Sequence, residues 1–228
     1  MPDMQLTSSL RVIALFDEMD DADLARVGES CTTVSYRQHA HILSEHETTD
    51  DVFFILAGSV RINCVSTRGR EVVFSDSSAG NIFGEFSAID GLPRSATVIA
   101  LTDCVLARMP AKAFFALLHS NAAVATKLVE LLVAMLRKTT EQVFEIAALS
   151  LRERLRRELL RLAAAGELMG RGVVIRPAPT HQVIALHIGS HREAVTREFN
   201  RFEAEGLVEV QRRQICTLDL VRLERMHL

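Results

Sequence analysis

Between Gly84 and Val98 the chain reads GEFSAIDGLPRSATV. These residue types suit a pocket for a small phosphate-containing ligand. Gly84 lets backbone approach a ligand with no side chain in the way. A helical turn over Glu85–Ile89 would aim free amides at an anion. Arg94 can bond a phosphate through two N–H donors at once. Ser95 adds a hydroxyl and an amide, and Ala96 leaves room. Glu85 alone would repel a phosphate. A carboxylate fits there when the ligand also offers sugar hydroxyls, as a nucleotide does. The plain alternative is a solvated strand–loop–strand, which a lone Gly-Glu or a lone Arg-Ser would favour.

A second set of residues lies in THQVIALHIGSHREAVTREFNRFEAEGLVEV, from Thr180 onward. Thr180 suits the N-cap of a helix running to Ile188, and Gly189 allows a tight turn. Ser190 suits the cap of a second helix, with Glu193 as its capping-box partner. Gly206 would end that helix. Ala185, Gly189 and Val195 have the spacing of a helix-turn-helix: a small residue at the crossing, a bend, and an apolar anchor. Glu198 stands where an apolar residue is more common. The second helix would place its N-terminal residues in a DNA major groove. Arg192, Glu193 and Arg197 share one face there, beside His191. Arg takes guanine O6 and N7 together, and Glu accepts from cytosine N4. A solvated helix face is the plain alternative. Val208–Val210 and Ile215–Leu218 flank Arg212-Arg213 as a two-stranded wing.

The elements that must hold these residues follow from patterning. Residues 9–28 read as short helical pieces with an acidic run at Asp17–Asp23. From Cys31 the chain turns to short β-rich runs (TTVSY, HILS, VFFILAGSVRINCV, EVVFSD, ATVIAL, CVLARMP), with Gly58, Gly69, Gly80 and Gly91 as turn signals. Such spacing predicts an antiparallel barrel or jelly roll. Pro110 ends it. A short helix (AKAFFALLHS) and a long helical run over Asn121–Leu149 follow. In that run Leu128, Leu132, Met135, Thr139, Gln142, Ile146 and Leu149 recur at steps of four and three, the seam of a coiled coil, which predicts a symmetric dimer. A hinge at Ala147–Leu151 leads to a basic helix carrying Arg152, Arg154, Arg156, Arg157 and Arg161, a Gly-rich turn (GELMGRG) and a strand (VVIRP).

Composition bounds the function. The chain has 228 residues and a net charge of −3. Residues 151–228 hold 14 Arg and no Lys against 10 acidic residues, which weakly favours phosphate and guanine contacts. No apolar run approaches the roughly 20 residues of a membrane span. The N-terminus lacks the marks of a secretory signal. Four separated cysteines, Cys31, Cys64, Cys104 and Cys216, fit a reducing cytoplasm, and neither they nor His39, His41 and His46 form a convincing metal cluster. No G-x-S-x-G, P-loop or H-E-x-x-H motif suggests an enzyme.

Residues 84–98 resemble the phosphate-binding cassette of cyclic-nucleotide-binding domains. The order of pieces along nearly the whole chain resembles the cyclic-AMP receptor protein branch of the cyclic-AMP receptor protein/fumarate-nitrate regulator superfamily of bacterial transcription regulators. The resemblance implies an α+β fold in three parts: a cyclic-nucleotide-binding β-barrel (jelly roll) sensor over 1–118, a dimerisation helix and hinge over 119–149, and a winged helix-turn-helix over 150–228. It implies that Arg94 and Ser95 hold a cyclic phosphate, and that Glu85 and the Gly84 carbonyl hold the ribose 2′-hydroxyl, with Phe86 in the same cassette. Thr139 and Thr140, followed by Glu141, would contact the base from the dimer helix. Met135 departs from the pattern, where that family's best-known member has an Arg helping the ribose-binding Glu. Arg192, Glu193 and Arg197 would read a palindromic TGTGA-like operator, with Thr180, Ser190 and His191 beside them. His191 and Thr196 could shift that preference.

The expectation is therefore a cytoplasmic, homodimeric, DNA-binding regulator that is not an enzyme, meets RNA polymerase and needs no metal. Its effector would be cAMP or cGMP. A Thr hydroxyl serves adenine's amino group and guanine's carbonyl alike, and the overall match favours cAMP. The alternatives are a same-fold sensor of haem, redox state or another small molecule, and a nucleotide-independent regulator. Arg94→Leu is expected to lose the nucleotide response while leaving the fold largely intact.

Overall fold

A computed structural model describes residues 4–66, 71–170, 172–211, 214–217 and 219–225. Gly69, Arg171 of the Gly-rich turn, the wing pair Arg212-Arg213 and Leu218 therefore lie outside the described residues. The chain divides into two compact units, Met1–Leu136 and Arg137–Leu228.

The first unit opens with α1 (Met4–Leu10), a single 3-10 turn (Ala14–Phe16) and α2 (Asp21–Glu29). Asp20 caps α2 by accepting from the Asp23 amide at 2.8 Å. Eight strands follow: β1 (Thr32–Tyr36), β2 (His41–Leu43), β3 (Val52–Ala57), β4 (Ser59–Val65), β5 (Glu71–Ser78), β6 (Ile82–Phe83), β7 (Thr97–Ala100) and β8 (Cys104–Met109). They form two antiparallel sheets, β1-β8-β3-β6 and β2-β7-β4-β5. The expected barrel is thus a sandwich of two four-stranded sheets, neither closed on itself.

The run Val52–Ile55 shows why β3 is apolar at every position. Phe53 and Ile55 pack into one cluster with Val60, Phe83, Val98 and Leu106. Val52 and Phe54 pack into the other, against Leu10, Phe16, Phe114, Val124 and Leu128 of the helices. A strand covered on both faces reads as a continuous apolar run rather than an alternating one. Phe53 stacks on Phe83 and Phe16 tilts against Phe54, each with centroids 5.0 Å apart. Gly58 makes the β3–β4 turn at φ 88°, where an added Cβ would stand 2.3 Å from the Asp103 carbonyl oxygen.

Helices α3 (Glu85–Asp90) and α4 (Ala111–Ser120) precede the 27-residue α5 (Ala122–Ala148). The apolar residues of α5 divide between the core and the surface. Leu128 is buried in the core of its own unit, and Leu131 and Leu132 pack against that core. The large apolar residues left exposed include Val129, Val133, Leu136 and Val143. With Thr140 they recur at steps of four, three, four and three, one residue along from the pattern read in the sequence. The helix carries two neighbouring stripes: the core of the first unit takes Leu128 and Leu132 of the first, whereas Ile146 of that same stripe is exposed.

The second unit holds the end of α5, α6 (Leu151–Ala163), β9 (Glu167–Met169), β10 (Gly172–Ile175), α7 (His181–His187), α8 (Arg192–Ala204), β11 (Val208–Gln211), β12 (Gln214–Thr217) and α9 (Leu220–Arg225). The expected Gly-rich turn is a hairpin, β9–β10, and it extends the wing into a sheet of order β11-β12-β10-β9. Leu155, Leu159, Ile184, Val195, Phe199, Phe202 and Ile215 form the core. A full capping box starts α6, with Ser150 and Glu153 bonding each other's backbone amides. Among the described residues, no single helix is long and apolar enough to cross a membrane.

Candidate effector pocket and nucleic-acid interface

In the first unit the chain leaves β6, turns left-handed at Gly84 (φ 84°), runs through α3, turns left-handed again at Gly91 (φ 70°) and returns past Arg94 to β7. Gly84 is required twice over, by its φ and by space. An added Cβ would stand 2.8 Å from the Asp51 carbonyl oxygen and 2.9 Å from Arg94 Nη1. Arg94 is buried, at 2% exposure. Its Nε donates to Thr49 Oγ1 at 3.0 Å, Nη1 to the Gly84 carbonyl at 2.8 Å and Nη2 to the Asp51 carbonyl at 2.8 Å. Three of the five guanidinium N–H donors are thus held by the protein itself. The Gly84 carbonyl, expected at a sugar hydroxyl, accepts from Arg94.

Burial lowers the Arg94 pKa, against the opposing pull of Asp51, Glu47, Asp50 and Glu85. Glu85 is buried too, and desolvation pushes its carboxyl up to about 7, although its own amide and Arg94 favour the charged form. The structure therefore brings Gly84, Glu85 and Arg94 into one buried cradle. Phe86 and Ser95 are exposed beside it. The Ser95 carbonyl accepts from the Cys64 thiol at 3.3 Å. Thr139 and Thr140 are exposed on α5, within the second unit. Thr49 and Asp51, which hold Arg94, were missed by the sequence reading. The only signal for them was an acidic, polar run before β3.

In the second unit, Thr180 caps α7 by accepting from the Val183 amide at 3.2 Å. Gly189 turns at φ 63°, and its added Cβ would meet Ile146 at 3.2 Å. Ala185 and Val195 are fully buried at the crossing of α7 and α8. Ser190 is not the cap of α8. Its amide closes the turn onto the Ala185 carbonyl at 2.8 Å, and His191 is the N-cap, without a side-chain bond. The Ser190–Glu193 capping box is therefore not made: the backbone turn takes Ser190 and the helix starts one residue later. His191, Arg192, Glu193 and Arg197 are all exposed, and Arg192 and Arg197 form no ion pair among the described residues. Glu198 is buried and paired with Arg201 and Arg152.

The five arginines of α6 are not a free basic face. Arg152 lies over Phe202 at 4.8 Å and pairs with Glu205 at 2.6 Å. Arg154 donates to the Ile146 and Leu149 carbonyls, both at 3.2 Å, which satisfies the C-terminal end of α5. Arg156 donates to the Leu223 and Glu224 carbonyls. Arg157 and Arg161 converge on the buried Glu145. Much of the C-terminal positive charge is spent holding this unit together.

Two family models match the chain: "Cyclic nucleotide-binding domain" over residues 33–121 and "Crp-like helix-turn-helix domain" over residues 153–226. The chain belongs to the cyclic-AMP receptor protein/fumarate-nitrate regulator (CRP/FNR) family. Together the two matches span both compact units and more than half of the chain. This is a family of transcription regulators, so the chain is a CRP-like DNA-binding regulator with a cyclic-nucleotide-binding domain. A relative from Haemophilus influenzae, the "cAMP-activated global transcriptional regulator CRP", is 27% identical over 186 residues, covering 81% of this chain and 83% of its own. Among solved structures, a CooA mutant from Carboxydothermus hydrogenoformans matches with a TM-score of 0.78 at 20% identity, covering 93% of this chain and 94% of its own. The "c-di-GMP Responsive Global Regulator CLP" of Xanthomonas campestris matches with a TM-score of 0.77 at 21% identity, covering 88% and 99%. These two similarities show the fold.

Proposed function

We propose that this protein is a cytoplasmic, homodimeric transcription regulator whose affinity for a palindromic operator is set by a cyclic nucleotide, cAMP ahead of cGMP. The observation that carries the reading is the cradle of Gly84, Glu85 and Arg94. A guanidinium already fixed by three hydrogen bonds loses little freedom when its two remaining N–H donors meet a phosphate. Glu85 beside it suits a hydroxyl-bearing ligand. A nucleotide fits these donors and acceptors: Arg94 and Ser95 would take its phosphate, Glu85 its ribose, and Thr139 with Thr140 its base. The Haemophilus relative, described as cAMP-activated, supports cAMP over cGMP.

A second copy is the partner that the exposed stripe Val129, Val133, Leu136 and Val143 fits, because a repeat at steps of four and three matches itself across a two-fold axis. On DNA, Arg192, Glu193 and Arg197 would read base edges of TGTGA-like half-sites, with Thr180, Ser190 and His191 as further contacts. Regulation would follow if the nucleotide binds one arrangement of the dimer better than another. RNA polymerase is the expected further partner.

The test is calorimetric titration of the full chain with cAMP, cGMP and c-di-GMP. Heat from cAMP that is reduced or absent in Arg94→Lys supports the reading. A c-di-GMP signal alone would replace the effector, and silence with all three would remove the cyclic nucleotide from the function.

A further inference from the structure

At the crossing of α7 and α8, His181 reaches across to the recognition helix. Its Nδ1 lies 2.9 Å from Thr196 Oγ1, and Thr196 Oγ1 lies 2.9 Å from the Arg192 carbonyl oxygen. A hydroxyl has one proton. The Arg192 carbonyl can only accept, so the Thr196 proton goes there. Thr196 Oγ1 must then accept from His181, which puts a proton on Nδ1. The imidazole also stacks flat on Phe199, with centroids 4.5 Å apart and planes 3° apart, which fixes the plane of the ring. Burial and the facing cation of Arg192 disfavour a second proton, with Glu203 opposing them. The neutral Nδ1–H tautomer is the one that these contacts select.

We infer that His181 is a positioning residue for DNA recognition, in which the relay from His181 Nδ1–H through the Thr196 hydroxyl to the Arg192 carbonyl fixes the first turn of α8 on α7. The site this serves is exposed. Arg192 stands at the start of α8, directly after a cap residue whose side chain makes no bond. A helix start without a side-chain cap frays readily. The relay ties the backbone of Arg192 to a half-buried, stacked ring instead. Arg192 and Arg197 flank Thr196 on the same helix, so the relay sets the direction of both toward base edges. It sharpens discrimination between sequences more than it raises affinity for DNA in general, because phosphate contacts tolerate small shifts that bidentate base contacts do not.

The test uses the full-length chain and four variants: His181→Phe, which keeps the stack and loses the donor; His181→Asn, whose amide stands in for Nδ1–H; Thr196→Val; and the His181→Phe/Thr196→Val pair. The DNA probe is a duplex selected by the wild-type chain from a random pool, without nucleotide and with cAMP, alongside the same duplex with single-base changes. Loss of one neutral hydrogen bond should lower discrimination about fivefold. The drop is expected in His181→Phe and in Thr196→Val, no further drop in the pair, and recovery in His181→Asn, with affinity for unselected DNA unchanged. Histidine 15N spectra of the free protein should show His181 protonated on Nδ1, and this preference should weaken in Thr196→Val. Wild-type discrimination in His181→Phe, failure of His181→Asn to recover it, or an Nε2–H tautomer in the wild type would each overturn the inference.

Discussion

Replacing Arg94 with Leu tests whether the cradle, besides its proposed role in ligand binding, holds the first unit together. The guanidinium donates to Thr49 Oγ1 and to the Gly84 and Asp51 carbonyls at 2.8–3.0 Å, and it is buried. Leu would leave three acceptors without that donor: the half-buried Gly84 and Asp51 carbonyls, at about 1–3 kcal/mol each, and the exposed Thr49 hydroxyl, which can turn to water at less cost. Against this, the variant no longer desolvates a cation, which in proteins costs several kcal/mol. A net destabilisation of about 3 kcal/mol is expected, a large share of the 5–15 kcal/mol typical of a domain. The chain has no Trp and one Tyr, Tyr36, which lies on β1 of the first unit. Tyrosine fluorescence during urea denaturation therefore reports this unit alone. An unfolding free energy within about 0.5 kcal/mol of wild type, the scale of an ordinary surface change, would refute the argument that these bonds stabilise the fold. The sequence by itself suggests that Arg94→Leu spares the fold. The three bonds predict otherwise, so Arg94→Lys is the better probe of ligand binding.

Glu85 should make the first unit's stability depend on pH. Its folded pKa, about 7, lies above the ordinary 4.5, so the native state binds more protons than the unfolded chain between those values. Stability should therefore fall as pH rises from about 4.5 to about 7, and Glu85→Gln should flatten that slope in Tyr36-monitored denaturation at pH 5 and pH 8. Leu136→Glu should shift sedimentation toward monomer with the fold retained, whereas Leu128→Glu should unfold the first unit, because only Leu128 is buried in its core. Arg192→Ala should cost about 1–3 kcal/mol of binding at one base pair; equal loss on all sequences would reduce Arg192 to a phosphate contact. Thr180→Ala should destabilise the second unit by about 1 kcal/mol, read by circular dichroism, through loss of the bond to the Val183 amide.

Wherever a residue type answers a local need, the sequence by itself determined the outcome. Gly84, Gly189 and Gly206 mark left-handed turns, Thr180 caps α7, and the β-rich runs became strands within a residue or two. The order of sensor, long helix and helix-turn-helix was legible for the same reason, since periodicity changes at each boundary. Tertiary structure decided what depends on which competing partner wins. On α5 two apolar stripes one residue apart look equivalent in the sequence, and only packing shows that the core takes Leu128 and leaves Val129, Val133 and Leu136. Ser190 could cap a helix or close a turn, and the Ala185 carbonyl settles it. The five arginines of α6 mark a basic helix in the sequence, and Glu145, Glu205 and backbone carbonyls outside that helix claim them. Arg94 reads as a ligand group, yet the folded chain had to bring Thr49 and Asp51 to it, from more than 40 positions away. Hydrogen-bond partners so distant leave no periodic trace, and they decide how the cradle is held.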